Sequence, residues 1–281
     1  MKGAVRTLMA LLGTPQGAVG LVLFAGLAIV VIAGPAIAPL DPETFHFDAR
    51  FAGPSAAHPL GTDWYGRDLL SRVLSGARST VLLALLATLL GTALGTLIGI
   101  GSGYLGGRID DAIMRVNDAF MAIPNLLFAL MILAVLGSSS LNAVVAIGIA
   151  TAPGMARIVR SVTLRVRALD YVAAARSRGE SAAWIVLAEI LPNVVAPVIV
   201  EATIRVAFAI MTFATLSFLG LGAQPPSPEW GLMIAEARVH LFRSPWPVMV
   251  PGAAIALVAI TFNLLGDGLR DALNPRTKAN A

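Results

Sequence analysis

From Thr7 to Leu40 the chain carries no charged residue. A helix that crosses a bilayer needs about 20 apolar residues at 1.5 Å rise each, and this block predicts a first span over residues 17–38. Ala36-Ile37-Ala38 resembles a signal-cleavage site. A signal h-region is only about 7–15 residues, however, so a retained helix is expected. Ser79–Leu105 is also uncharged and predicts a span over 79–105. Ala119–Ala156 has no charge for 38 residues, about 57 Å as a helix and too long for one crossing. The polar turn Gly137-Ser-Ser-Ser140 breaks it, giving spans over 119–136 and 141–156. Two more follow over 193–219 and 247–266. The expected fold is an all-α integral membrane protein with six transmembrane helices in one domain, 1–281.

Composition agrees. Of 281 residues, 57% are hydrophobic and 13% charged, with mean hydropathy +0.81. Soluble domains carry about 25% charged residues. Six crossings put both termini on one side, so the basic residues can orient the chain. The termini and the loops after spans two and four hold Lys2, Arg6, Arg108, Arg115, Arg157, Arg160, Arg165, Arg167, Arg176, Arg178, Arg270, Arg276 and Lys278. The opposite loops hold Arg50, Arg67, Arg72, Arg78, Arg238 and Arg243. The positive-inside rule makes the first set cytoplasmic. Residues 157–192 then form a cytoplasmic loop and 39–78 an external segment. The net charge of +4 is spread over loops with no stacking platform, so nucleic acid is not an expected partner. There is no cysteine, and His46, His58 and His240 stand in no zinc pattern. No metal or cofactor is expected.

The cytoplasmic loop carries the most informative polar stretch, Arg157–Glu189. Ala173, Ala174 and Ala175 are strong helix formers without bulk, which predicts a short helix over Ala168–Arg178. Gly179 can adopt the left-handed conformation that closes a helix. Glu180 suits the positive end of a second helix, expected to stop near Pro192. The product is an elbow below the bilayer with a narrow alanine surface. No catalytic residue is expected. A P-loop needs a lysine that reaches the phosphates, and Lys2 and Lys278 do not follow a glycine.

The spacing of Ala174, Ala175, Gly179, Leu191 and Pro192 resembles the cytoplasmic signature of importer-type ABC permease subunits, with Ala173 at that signature's glutamate position. His58-Pro-Leu-Gly-Thr-Asp63, Gly66-Arg-Asp68, Gly103-Tyr-Leu-Gly-Gly107, Leu216-Ser-Phe-Leu-Gly-Leu-Gly222, Pro225-Pro-Ser-Pro-Glu-Trp-Gly231 and Asn263-Leu-Leu-Gly-Asp-Gly-Leu-Arg-Asp271 extend it. These resemble the second membrane subunit of the dipeptide/oligopeptide branch. The resemblance implies the type I importer permease fold in a prokaryotic inner membrane. It also implies a second, non-identical permease subunit, two cytoplasmic ATPase subunits and an extracytoplasmic solute-binding protein. Ala173, Ala174, Ala175, Arg176, Gly179, Leu191 and Pro192 would then couple the chain to an ATPase. The cargo so implied is peptide; nickel complexes or other small solutes belong to the same branch.

Glu201 and Arg205 lie four apart inside span five and share a helix face. Ionisable groups at membrane depth are expensive. Two readings stand: both line a translocation path, or they neutralise each other and hold neighbouring helices. Asp110, Asp111, Arg115 and Asp118 are expected on a solvated cytoplasmic face. Trp64 and Tyr65, beside Asp63, Arg67 and Asp68, are expected to anchor the membrane boundary. Gly91, Gly95 and Gly99 form a small-residue packing face, with the partner subunit a candidate neighbour. Pro225, Pro226 and Pro228 with Trp230 should stiffen an external loop. An ion-gradient-driven transporter or channel would show acidic relays and inverted repeats, which this chain lacks. A scaffold that only displays the loop is a third alternative.

Overall fold

A computed structural model describes residues 9–273 of the chain. Among these residues the helices are α1 (Pro15–Ile37), α2 (Leu69–Leu105), α3 (Gly107–Met121), α4 (Asn125–Leu136), α5 (Ser140–Arg167), α6 (Asp170–Ser177), α7 (Ala182–Phe218), α8 (Trp230–Ala237) and α9 (Trp246–Leu273). Five of them, α1, α2, α5, α7 and α9, are long and apolar enough to cross a membrane. A sixth crossing exists only if α3 and α4, bent by 88° at their junction, are taken together. The long helices run past the uncharged blocks. α2 starts at Leu69 rather than 79, and α5 continues to Arg167 rather than 156. Hydropathy marks the apolar length of a helix, not the turns it extends into polar surroundings.

The span expected over 119–136 is not one helix. Pro124 stands at the N-cap of α4. It cannot donate to a carbonyl four residues back, and it disfavours helical backbone at Ile123. α3 is amphipathic, and its apolar last residues merely adjoin α4 in sequence. α4 has 12 residues, about 18 Å, against a hydrocarbon core of about 30 Å. At its far end Gly137 takes φ +84. Ser139 then caps α5 through Asn142 N at 3.1 Å, while Asn142 Nδ2 closes the turn on Leu136 O at 2.8 Å.

The core forms where α2, α5, α7 and α9 meet, around Ala84, Ile147, Ile210, Phe213, Leu216 and Phe262. The glycine stripe of α2 packs within the chain, on α5. A Cβ on Gly95 would lie 2.5 Å from Met155 Cβ, on Gly99 2.6 Å from Ala156 O, and on Gly103 2.9 Å from Thr163 Cβ. Glycine lets the two backbones approach this closely. α1 packs through Gly20 against Leu264 and Leu265 and through Gly34 against Leu74. Its outer side chains Val22, Ile29 and Ile32 are exposed, an apolar face suited to lipid rather than water.

Asp110 departs from the solvated face expected of it. It is buried and accepts from Arg160 Nε at 2.6 Å, Arg160 Nη2 at 2.5 Å and Ser102 Oγ at 2.5 Å. Asp111, Arg115 and Asp118 are exposed, with Asp118 paired to Arg157 at 2.5 Å.

Candidate functional site

The elbow is built from α6 and the first turns of α7. Gly179 has φ +78. Glu180 N donates to Ala175 O at 3.2 Å and Gly179 N to Arg176 O at 2.9 Å, the two bonds of a Schellman closure. A side chain at position 179 would meet open space, so the constraint there is backbone conformation alone. The second helix starts later than Glu180: Ser181 Oγ accepts from Trp184 N at 3.2 Å and caps it. Val172 and Ala175, three apart on one face, are buried with Val159, Ile185, Ile190 and Val194. The exposed surface is Ala173, Ala174, Arg176 and Gly179, so Ala175 anchors the elbow instead of joining its outer face. Arg176 lies 5.4 Å from the Tyr104 ring and Arg167 Nη1 donates to Gly103 O at 3.1 Å. The first contact ties the elbow, and the second the end of α5, to the end of α2.

The helix does not end at Pro192. Residues Ile185–Ile190 form a π-helical stretch, and Leu191 N donates to Val186 O. Pro192 falls where the hydrogen-bond register returns from i−5 to i−4, so its missing N–H interrupts a ladder already out of step. Asn193 Nδ2 donates to Glu189 O at 2.7 Å, a side-chain bond within the same register shift. Leu191 is half-buried and Pro192 exposed.

Further along α7, Arg205 Nε lies 2.9 Å from Glu201 Oε1, and both side chains are about one-fifth exposed. They face a cavity of about 270 Å³ that Asn125, Thr151, Phe208 and Thr212 also line. Arg205 Nη1 reaches Thr151 O at 3.5 Å, above Gly154, whose missing side chain leaves room for the guanidinium. The two side chains pair with each other and also line this cavity.

A second polar cluster lies where residues 39–78 meet α8. Asp68 caps α2, accepting from Ser71 N at 2.8 Å and Ser71 Oγ at 2.7 Å, with His58 Nδ1 at 3.1 Å. Asp63 accepts from Arg67 Nε at 2.6 Å, and Arg67 Nη2 donates to Glu236 at 2.7 Å. Burial pulls the Arg67 pKa down, but Asp63 and Glu236 outweigh it and leave the pKa raised. Glu229 is fully buried and caps α8 through Gly231 N at 3.0 Å and Leu232 N at 2.9 Å. Burial raises its pKa against these bonds. Trp230, expected in a stiff loop, is buried and donates from Nε1 to Val73 O at 3.1 Å. Trp64 stacks on His240 at 4.5 Å, and Tyr65 lies under Arg67 at 4.6 Å. Both aromatics face the cluster.

Residues 95–279 match the family described as binding-protein-dependent transport system inner membrane component. The chain belongs to this family. It is 40% identical over 261 residues to the dipeptide transport system permease protein DppC of Alkalihalophilus pseudofirmus, covering 93% of this chain and 86% of that one. It is 42% identical over 264 residues to the probable D,D-dipeptide transport system permease protein DdpC of Escherichia coli, covering 94% and 89%. The glutathione transport system permease protein GsiD of Pectobacterium atrosepticum is 43% identical over 242 residues, covering 86% and 80%. Among solved structures, a chain of the MetNI methionine ABC transporter superposes with TM-score 0.58 at 18% identity, over 72% of this chain and 97% of that one. That likeness establishes the fold.

This permease is therefore a multi-pass inner-membrane protein of the importer-permease type, as the sequence resemblance implied. Sequence reading singled out Glu201 and Arg205 but passed over Arg72, Glu229, Glu236 and the Asp110–Arg160 pair. A signal for Arg72 exists: Asp63/Arg67 and Asp68/Arg72 repeat one acid–base spacing at the start of a long apolar helix. For Asp110 and Arg160, 50 residues apart, no local pattern points from one to the other.

Proposed function

We propose that this permease forms half of the translocation path of an ATP-driven importer of short peptides. The observation that carries the reading is the exposed, glycine-closed elbow on a chain without a nucleotide-binding motif. The solute identity draws on the names of its relatives. In this reading both termini are cytoplasmic, a second non-identical permease completes the bundle, and a solute-binding protein delivers cargo from outside. Two ATPase subunits bind from the cytoplasm, one of them on Ala173, Ala174, Arg176 and Gly179. Their closure moves the elbow, and the bundle shifts between two packings biased by ATP. Glu201 and Arg205 offer opposite charges to a zwitterionic solute from the cavity wall.

The test is reconstitution. Vesicles holding both permeases and the ATPase subunits should accumulate a labelled dipeptide only with ATP and the binding protein present, and ionophores should not abolish uptake. Uptake driven by a proton or sodium gradient without the ATPase subunits overturns the reading. ATP-driven uptake of nickel complexes but not peptides corrects the solute alone.

A further inference from the structure

At the external end, between residues 39–78 and α8, lies a cavity of about 230 Å³. None of the elbow residues and neither member of the Glu201–Arg205 pair lines it. Arg72 does, with a side chain 1% exposed. Its Nη1 donates to Pro42 O at 3.2 Å. Its Nη2 has no hydrogen-bond partner and stands 3.7 Å from Glu236 Oε2, too far for a hydrogen bond. Arg67 hydrogen-bonds both Asp63 and Glu236, which Arg72 meets only as ion pairs, Nε to Asp63 at 3.9 Å and Nη2 to Glu236 at 3.7 Å. A buried guanidinium N–H without a partner, on a residue that lines a cavity, calls for an acceptor. Glu236, a quarter exposed, stands beside it. The cavity thus presents a cationic donor and an anionic acceptor side by side. Its wall is aromatic: Trp64 stacks on His240, and Phe51 meets His240 edge-on at 5.3 Å. Arg50 and Arg243 lie 5.0 Å from the Trp64 and Phe51 rings and have no ion pair among the described residues.

We propose that this cavity binds the C-terminal residue of a short peptide. The carboxylate takes Arg72 Nη2, the adjacent amide N–H is accepted by Glu236, and an apolar or aromatic side chain lies against Trp64, Phe51 and His240. A carboxylate and the amide of the same residue are close neighbours, which suits a donor and an acceptor set 3.7 Å apart. The site would hold solute at the external face, apart from the Glu201–Arg205 cavity. It rests on the peptide-import reading only for the class of solute.

The probe is radiolabelled N-acetyl-phenylalanine, which carries the carboxylate, the amide and the ring. Its equilibrium binding is measured on the full transporter in nanodiscs, without ATP or solute-binding protein. Saturable binding is expected, weakened about tenfold or more when N-acetyl-phenylalaninamide replaces the acid. Arg72→Gln should cause a similar loss and Trp64→Ala a smaller one, whereas Asp111→Asn, on the exposed face of α3, should leave binding intact; Arg205→Gln is measured in parallel as the report on the other cavity. The acid–amide comparison needs no variant, so it decides even if Arg72→Gln fails to assemble. Equal binding of acid and amide, absence of saturable binding, or a loss confined to Arg205→Gln overturns the proposal. If peptide uptake fails while this binding persists, the import reading falls and the site stands. If uptake succeeds without this binding, the site alone falls.

Discussion

Asp110 and Arg160 meet across 50 residues of chain through two hydrogen bonds, Nε to Oδ1 at 2.6 Å and Nη2 to Oδ2 at 2.5 Å. The contact fixes the start of α3 against α5, about three turns before the elbow begins. With Ser102 on the same carboxylate, the acid is held from two helices.

Asp110→Asn should keep the shape and lose the charge-assisted fork. A cost of about 1–3 kcal/mol is expected, read as a lower melting temperature of the purified complex. Asp110→Ala combined with Arg160→Ala should cost less than the sum of the single changes. Strict additivity would show that the two do not interact.

Gly179→Val places a β-branched residue at φ +78, a conformation such residues strongly disfavour. Insertion and assembly should survive, because nothing packs at that position. ATP hydrolysis should lose its stimulation by the solute-binding protein, and uptake should fall. Wild-type uptake by this variant would remove the elbow from the coupling route.

Two glycines of α2 should respond oppositely to alanine. At Gly95 the new methyl meets Met155 Cβ at 2.5 Å and Ala152 O at 2.7 Å, so α2 and α5 must separate and the melting temperature should fall. At Gly101 it meets nothing, and a helix gains about 0.5–1 kcal/mol from the exchange. Matching melts of the two variants would contradict the close approach.

Glu201→Gln and Arg205→Gln each strand an opposite charge at membrane depth. Either change should cut ATP-driven uptake about tenfold or more. The double change removes the stranded charge but should not restore uptake, because the cavity then presents no charge. Full uptake by the double variant would reduce the pair to a packing device.

Much of this architecture was legible in the sequence because lipid imposes a simple rule: long uncharged blocks become helices. The left-handed Gly179 was legible for a similar local reason, since helix-forming alanines lead up to a glycine. The rule failed where hydropathy was continuous but the backbone was not. Pro124 broke an apolar stretch that composition alone treats as one piece. Pro192 did the reverse, because it falls at a π-helical register shift that absorbs its missing donor. The Asp110–Arg160 fork and the Arg72 cavity depend on elements far apart in sequence, and no periodicity encodes such meetings.

The inward turn of the α2 glycines also constrains any second membrane chain. Small residues that bring backbones together are already occupied by α5, and the outer faces of α2 and α4 present Leu86, Leu89, Leu97, Leu127, Met131 and Val135. Hydrocarbon tails solvate such side chains as well as a protein neighbour does. Apolar area by itself therefore gives no preference for a companion over lipid, and the seam must draw its selectivity from interlocking shape or from polar groups.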